Sequence, residues 1–427
     1  MTLSPATTSA TASRTRCGCL ENEKEGLSRR GLFALAGAVG LVTATTPAGA
    51  RVAFGATATD GDLLVVLSMR GGMDGLSVVV PTGDPGYRAA RPNIGIAGSA
   101  LHQVDQMFGL HPALAPVVPL WTAGKLAAVH AVGQSDPSRS HFSAMAEMER
   151  AAPGSSVRSG WIDRTLGLLP TGSPFQGTEV GSPLLPQSLR GPVPAMGITS
   201  VDGVHLTIGE TVAPVTRWQE SVALLHQGAR PELGAPTASG LRAVQSAQAI
   251  PPAVAGSYPK GALGDSLRDV ARLLRANVGL RVATVDYGHW DMHAELGSAE
   301  AGWMHDQLTE LAQALAAFAA DLGPDLSRVT LVTLSEFGRR VHENGSGGVD
   351  HGHGNAVLVM GGAVRGGKVY GRWPGLAEAA LDHGDLAVTT DYRTIIAEVL
   401  TRRCGVGSPS TVFPGWSGTP LGLVTPR

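Results

Sequence analysis

The stretch RVATVDYGHWDMH, residues 281–293, decides the fold and poses the question of function. Its first half is a short apolar run of the kind that forms a strand covered on both faces. Its second half crowds Asp286, His289, Asp291 and His293 into eight positions, in a chain of which only 16% is charged. The same change from apolar to polar recurs along the chain. LLVVLSM (63–69), LAAVHAV (126–132), RVTLVTL (328–334) and AVLVMGG (356–362) read as further buried strands. DSLRDVARLLRA and WMHDQLTELAQALAAFAADL carry apolar residues at three- and four-residue spacing, as helices packed on a sheet do. Strands alternating with helices predict a doubly wound α/β domain with a mostly parallel sheet, over residues 60–427. Residues 170–260 are dense in Pro and Gly and predict an irregular insertion or cap, with a few short strands around MGITSVDGVHLTIG. The tail predicts a helix from Tyr392 to about Arg402.

Ligands of open α/β sheets bind beyond the carboxyl ends of the strands. That is where the polar residues fall. Asp74 follows the first strand, Asp291 and His293 follow RVATVD, and Glu336 follows RVTLVTL. Asp350, His351 and His353 precede AVLVMGG, while Arg139, Ser140 and His141 follow LAAVHAV at a predicted helix start. Each of these residues alone reads as a turn former, a helix cap or a solvated side chain. Their joint placement carries the case. The carboxylates of Asp74, Asp291, Glu336 and Asp350, gathered at one rim, would repel and raise one another's pKa values. One or two divalent cations would remove that penalty, and mixed carboxylate and imidazole ligands suit zinc, manganese or iron. Magnesium and calcium stay open where carboxylates dominate. A pair of metals would clamp an in-line displacement at phosphorus or sulfur, with Ser140 as nucleophile. Arg139 or Arg339 would then meet the substrate's non-bridging oxygens, with His141 and His353 beside it.

The first fifty residues read as a targeting segment. Arg29 and Arg30 precede an uncharged run from Gly31 to Ala50, which closes on small residues. This pattern predicts export by the twin-arginine route, with the translocase as a transient partner and the product periplasmic, cell-surface or extracellular. No later stretch is long and apolar enough to span a membrane. Near-neutral net charge, with no basic stripe, argues against nucleic acid. Cys17 and Cys19 leave with the signal and Cys404 stands alone, which excludes a disulfide framework.

RGGMDGLSVVVP, SRSHFSAMAEME, GHWDMH, SEFGRRVHENGSGGVDHGHGNAVLVMGG and GGKVYGRWPGL resemble the bacterial domain-of-unknown-function family 1501, over roughly Leu63 to Leu400. The resemblance implies twin-arginine export and a tie to the alkaline phosphatase and sulfatase superfamily. The implied fold is a three-layer α/β/α sandwich, alkaline phosphatase-like, with metal ligands at the carboxyl edge of the sheet. On that basis Asp74, Asp291, His293, Glu336 and His351, with Asp350 beside it, resemble the metal ligands. The family usually shows Gly-Trp-Asp-Thr-His, where this chain has His289 and Met292 in place of the glycine and the threonine. SRSHF lacks the surroundings of an alkaline phosphatase nucleophile and the Cys/Ser-x-Pro-x-Arg signature of sulfatases. The expectation is therefore an exported metal-dependent hydrolase-like protein acting on a small-molecule or polymeric phosphate or sulfate ester. The alternative is a catalytically inactive secreted metal-binding scaffold or a cell-surface binding protein.

Overall fold

The computed structural model describes residues 62–427, apart from Pro137 and residues 170–171, 206, 209–210, 213–214 and 254–257. The expected signal segment lies outside the described residues. The chain is a mixed α/β structure built on a nine-stranded sheet. Its strands and principal helices are β1 (Leu63–Met69), β2 (Leu126–Gly133), α1 (His141–Arg150), α2 (Trp161–Gly167), β3 (Gly177–Val180) and β4 (Met196–Ile198). They continue with α3 (Ala262–Arg275), β5 (Val282–Tyr287), α4 (Trp303–Leu322), β6 (Val329–Leu334) and β7 (Asn355–Gly361), then β8 (Val369–Tyr370), β9 (Thr390–Asp391) and α5 (Tyr392–Arg402). The order across the sheet is β8-β2-β7-β6-β1-β5-β3-β4, with β9 also paired to β2.

β1 shows why helices cover both faces. Successive strand residues point to opposite sides. Leu63, Val65, Leu67 and Met69 enter a core with Leu267, Val270 and Leu274 of α3 and Leu308, Leu311 and Leu315 of α4. Leu64 and Val66 enter a second core with Met148 of α1, Trp161 and Ile162 of α2, and Ile395, Ile396 and Val399 of α5. A strand buried on both sides has no polar alternation, which is why its sequence is continuously apolar.

β1 runs parallel to β5 and β6, and β5 to β3. β7 is antiparallel to both β6 and β2. The reversal has a local cause. A parallel return needs a crossover, usually helical, whereas residues 335–354 contain no helix and stay at one edge. The amino end of β7 therefore lies at the carboxyl ends of the other strands, which brings the Asp350–His353 loop to the same rim as the loops after β1, β5 and β6.

Residues 170–260 are more regular than their composition suggests. β3 and β4 extend the main sheet in parallel, and Val215–His226 and Pro231–Gln248 are helices. Pro231 sits in the first turn of its helix, where the missing N–H costs nothing. Among the described residues no helix is long and apolar enough to cross a membrane.

Candidate functional site

The crowding after β5 has a packing explanation. Trp290 and Met292 are each 1% exposed and sit in the core, so Asp291 and His293 alternate outward. The Trp290 indole N–H donates to the Tyr287 carbonyl at 3.1 Å and fixes the turn. Two outward polar groups next to two buried anchors are thus presented on a rigid edge.

Three imidazoles meet the Asp291 carboxylate, and each has one ring nitrogen already committed. His351 Nδ1 lies 2.8 Å from the Arg139 carbonyl oxygen. A carbonyl only accepts, so Nδ1 carries the proton and Nε2 is a bare lone pair. His293 Nδ1 lies 2.8 Å from Asp350 Oδ1, and His141 Nδ1 lies 2.8 Å from Glu336 Oε1. The same reasoning leaves both of their Nε2 atoms as acceptors. His293 Nε2 and His351 Nε2 face each other at 3.0 Å, and lie 3.0 and 3.2 Å from Asp291 Oδ1. His141 Nε2 lies 3.4 Å from Asp291 Oδ2 and is buried without a hydrogen-bond partner. Ligand atoms of His141, Asp291 and His351 all fall within 4.8 Å of one another. With Nδ1 as the protonated nitrogen of each ring, three imidazole Nε2 atoms converge on a carboxylate whose one donated hydrogen bond comes from Arg339, an arrangement that a cation stabilises.

The rings are held as well as aimed. Phe337, buried, lies with its ring 4.8 Å from His141 and 4.7 Å from His351. Gly352 packs the His351 loop onto the 338–340 backbone, and a Cβ there would come within 2.4 Å of the Arg339 carbonyl carbon. Here the glycine serves a close approach of backbone to backbone. Burial alone would raise the Asp291 carboxyl, but the hydrogen bond and positive charge of the Arg339 guanidinium bring it down to about 2. Burial lowers the His351 imidazole, against the Arg139 carbonyl and Asp291, so the ring stays neutral and its Nε2 free.

The other expected residues have different places. Asp74 is 2% exposed, with its Oδ1 2.9 Å from Arg91 and its Oδ2 2.6 Å from Ser77. Burial would raise this carboxyl; the Arg91 guanidinium holds it below the usual carboxylate value. It is committed to a buried ion pair and does not join the imidazoles. Glu336 and Asp350, expected to be ligands, instead receive the Nδ1 protons of His141 and His293. Asp350 also accepts from Asn344 at 3.1 Å, and Glu336 from the Gly71 N–H at 2.9 Å.

Arg339, expected to meet substrate oxygens, has a fully buried side chain. Its guanidinium binds the carbonyls of Gly71, Gly72, Trp290 (3.2 Å) and Val349 (3.1 Å) and the Asp291 carboxylate (2.7 Å). It ties three loops together and, with its side chain fully buried, is closed off from a ligand in the cleft. Arg139 pairs with Asp385 through its side chain. His353 Nε2 lies 2.9 Å from the Gln134 carbonyl and serves as a loop tie. Ser140 is exposed immediately before α1, and its hydroxyl caps no helix N–H. His141, expected beside the substrate, is the residue whose role changes most: it supplies a lone pair to the group. The only sequence signal for that was its place beyond the carboxyl end of β2.

A cleft of about 1220 Å³ opens from His141, Asp291 and Glu336 outward between α1, the 182–190 loop and Trp303. On its wall Arg70 pairs with Glu149 at 2.8 Å and with Asp286 at 2.6 Å.

Residues 227–406 match the model of a family described as a protein of unknown function (DUF1501). That stretch holds Asp291, His293, Glu336, Asp350 and His351, and supports the kinship expected from the motifs; it does not reach Asp74 or Ser140–His141. A comparison with curated proteins found no match.

Proposed function

We propose that this chain is an exported metal-dependent hydrolase-like protein acting on a phosphate or sulfate ester. The observation that carries the reading is the convergence of imidazole lone pairs on Asp291, with every opposing Nδ1 anchored. His141, Asp291 and His351 would hold the ion, with His293 beside them on the Asp291–His351 side. Histidine-rich donors of this kind suit zinc, iron or manganese better than magnesium or calcium. A bound divalent ion would polarise the ester oxygen. Glu336, Asp350 and the Arg139 carbonyl hold the rings in the required tautomer. Arg339 fixes Asp291 against the loops after β1 and β6, so the carboxylate does not follow solvent. Ser140, exposed and adjacent in the chain to His141, is the side chain proposed to attack phosphorus or sulfur. The strand order with its single reversed strand, helices on both faces and a site at the carboxyl edge supports an alkaline phosphatase-like fold. The Arg29–Arg30 pattern supports export through the twin-arginine translocase to a periplasmic, cell-surface or extracellular location.

One observation favours a second reading, a metal-binding scaffold without turnover. Among the described residues no hydrogen bond joins the Ser140 hydroxyl to an imidazole or carboxylate that would take its proton. Metal analysis of the purified protein, with a panel of aryl phosphate, phosphodiester and aryl sulfate substrates, separates the two. Turnover abolished in Asp291→Ala and in Ser140→Ala supports the hydrolase. Stoichiometric metal with no turnover on any ester supports the scaffold. A protein that takes up no divalent ion contradicts both.

A further inference from the structure

The cleft is far larger than a phosphate or sulfate group needs, and its outer wall has a chemistry of its own. Large apolar side chains are seldom left in water in clusters. Among the described residues, Phe142 is 91% exposed, Leu184 69% and Trp303 40%, and all three line this cleft. Phe142 follows His141 directly in α1, so it projects from the next position round the same helix into the cleft. The charges along the cleft divide into paired and unpaired groups. Arg70 is taken by Glu149 and Asp286, and Arg150 by Glu147. Asp291 and Glu336 belong to the imidazole group. Arg158 and Arg190 line the cleft, exposed, and among the described residues neither has a carboxylate partner. Arg190 is steadied by a bond from its Nε to the Leu185 carbonyl at 3.0 Å. Beyond the imidazole group the cleft therefore offers flat or bulky apolar faces next to two guanidinium groups without a carboxylate partner, against one lining carboxylate, Asp136, that is in no ion pair among the described residues.

We infer that the cleft binds an anionic chain of ring-bearing units, an anionic glycan. Its rings would lie against Phe142, Leu184 and Trp303, and its charged substituents would meet Arg158 and Arg190. A bare polyanion would leave the apolar faces unused, and a neutral glycan would leave the two arginines unpaired. Single-stranded nucleic acid also joins rings to charge, but its binding surfaces are grooves of continuous positive charge. Here carboxylates, among them Glu149, Asp286, Asp291 and Glu336, share the lining with the arginines. The inference names the substrate class for the ester site proposed above and rests on that reading for its chemistry, though not for binding.

The test is direct binding to the full chain without added metal, using labelled dextran sulfate, unmodified dextran, inorganic polyphosphate and oligothymidylate. Dextran sulfate is expected to bind best, with affinity falling as salt rises. Binding is expected to weaken about tenfold in the Arg158→Ala/Arg190→Ala double variant, whose side chains meet the ligand as charged partners. Phe142→Ala is expected to weaken dextran sulfate and leave polyphosphate unchanged. If the double variant fails to fold, Arg158→Gln/Arg190→Gln keeps the stems and removes the charge. No binding of dextran sulfate overturns the inference, as do equal binding of dextran, equal binding of polyphosphate, or tighter binding of oligothymidylate. Binding of dextran sulfate without turnover of any ester defeats the hydrolase reading alone. Turnover of a small aryl ester with no dextran sulfate binding defeats this one alone.

Discussion

Replacing Glu336 by glutamine separates a ligand from a residue that orients one. Glu336 is 3% exposed, and its Oε1 accepts from His141 Nδ1 at 2.8 Å and from the Gly71 N–H at 2.9 Å. A glutamine carbonyl can accept both. The new amide N–H₂ would face the Ser335 hydroxyl, 3.2 Å from Oε2, whose own proton already goes to the Met69 carbonyl at 2.8 Å. The fold therefore tolerates the change, and metal-free stability should stay within about 1 kcal/mol of the parent. What is lost is the negative charge that makes His141 Nε2 a better donor. Outer partners of ligating histidines are worth about 10–100-fold in metal affinity. With both hydrogen bonds kept, the lower end applies: about tenfold, or about 1.4 kcal/mol. Calorimetric titration of the apo-protein with zinc reads this directly, with denaturant unfolding as the control. Unchanged affinity would refute the orienting role. Complete loss of binding with the fold intact would mean that Glu336 is itself a ligand, as the sequence alone suggests.

Other outcomes follow from the same geometry. Arg91→Met strands the buried Asp74 carboxylate and should cost about 3–5 kcal/mol in denaturant unfolding, recovered in large part by adding Asp74→Asn; unchanged stability would remove the ion pair from the account. Burial, reinforced by Asp286 and opposed by Thr284, raises the Glu179 carboxyl to about 9. Between its unfolded value near 4.5 and that figure the folded state holds a proton that the unfolded state has lost, so stability falls as pH rises. The slope is at most about 1.4 kcal/mol per pH unit. Unfolding measured from pH 5 to 9 should be flatter in Glu179→Gln, and an identical slope would contradict the assignment. Gly352→Ala drives a methyl into the Arg339 backbone and should lower both stability and zinc affinity; wild-type values in both would show that the loop has room to move.

Much of this architecture is legible in the residues. The continuous apolar runs mark doubly covered strands because both faces of the sheet carry helices. Asp291 and His293 stand out because polar groups crowd close behind an apolar run, and His351 because it stands just ahead of one. Partners supplied from far away in the chain are not legible. The Asp74 site looks like an open aspartate after a strand until Arg91 folds back onto it. Arg339 looks like an anion binder, yet the loops after β1, β5 and β6 all spend their carbonyls on it. A carboxylate that ligates and one that holds a histidine proton have the same composition signature, so the roles of Glu336 and Asp350 needed ring orientation. His141 was hidden for the same reason, since a histidine at a helix start is ordinary until its Nε2 is found buried and unpaired. The Pro- and Gly-rich stretch conceals β3, which is too short for alternation to register, whereas β4 falls at the start of the expected short strands around MGITSVDGVHLTIG.

The most direct measurement is anomalous diffraction from crystals soaked with zinc. The account predicts one strong peak bonded to Nε2 of His141, Nε2 of His351 and an Asp291 carboxylate oxygen, at about 2.0–2.2 Å from each. A peak coordinated instead by Asp74 and the Glu336 carboxylate, or no peak among these side chains at full occupancy of soaking, would contradict it.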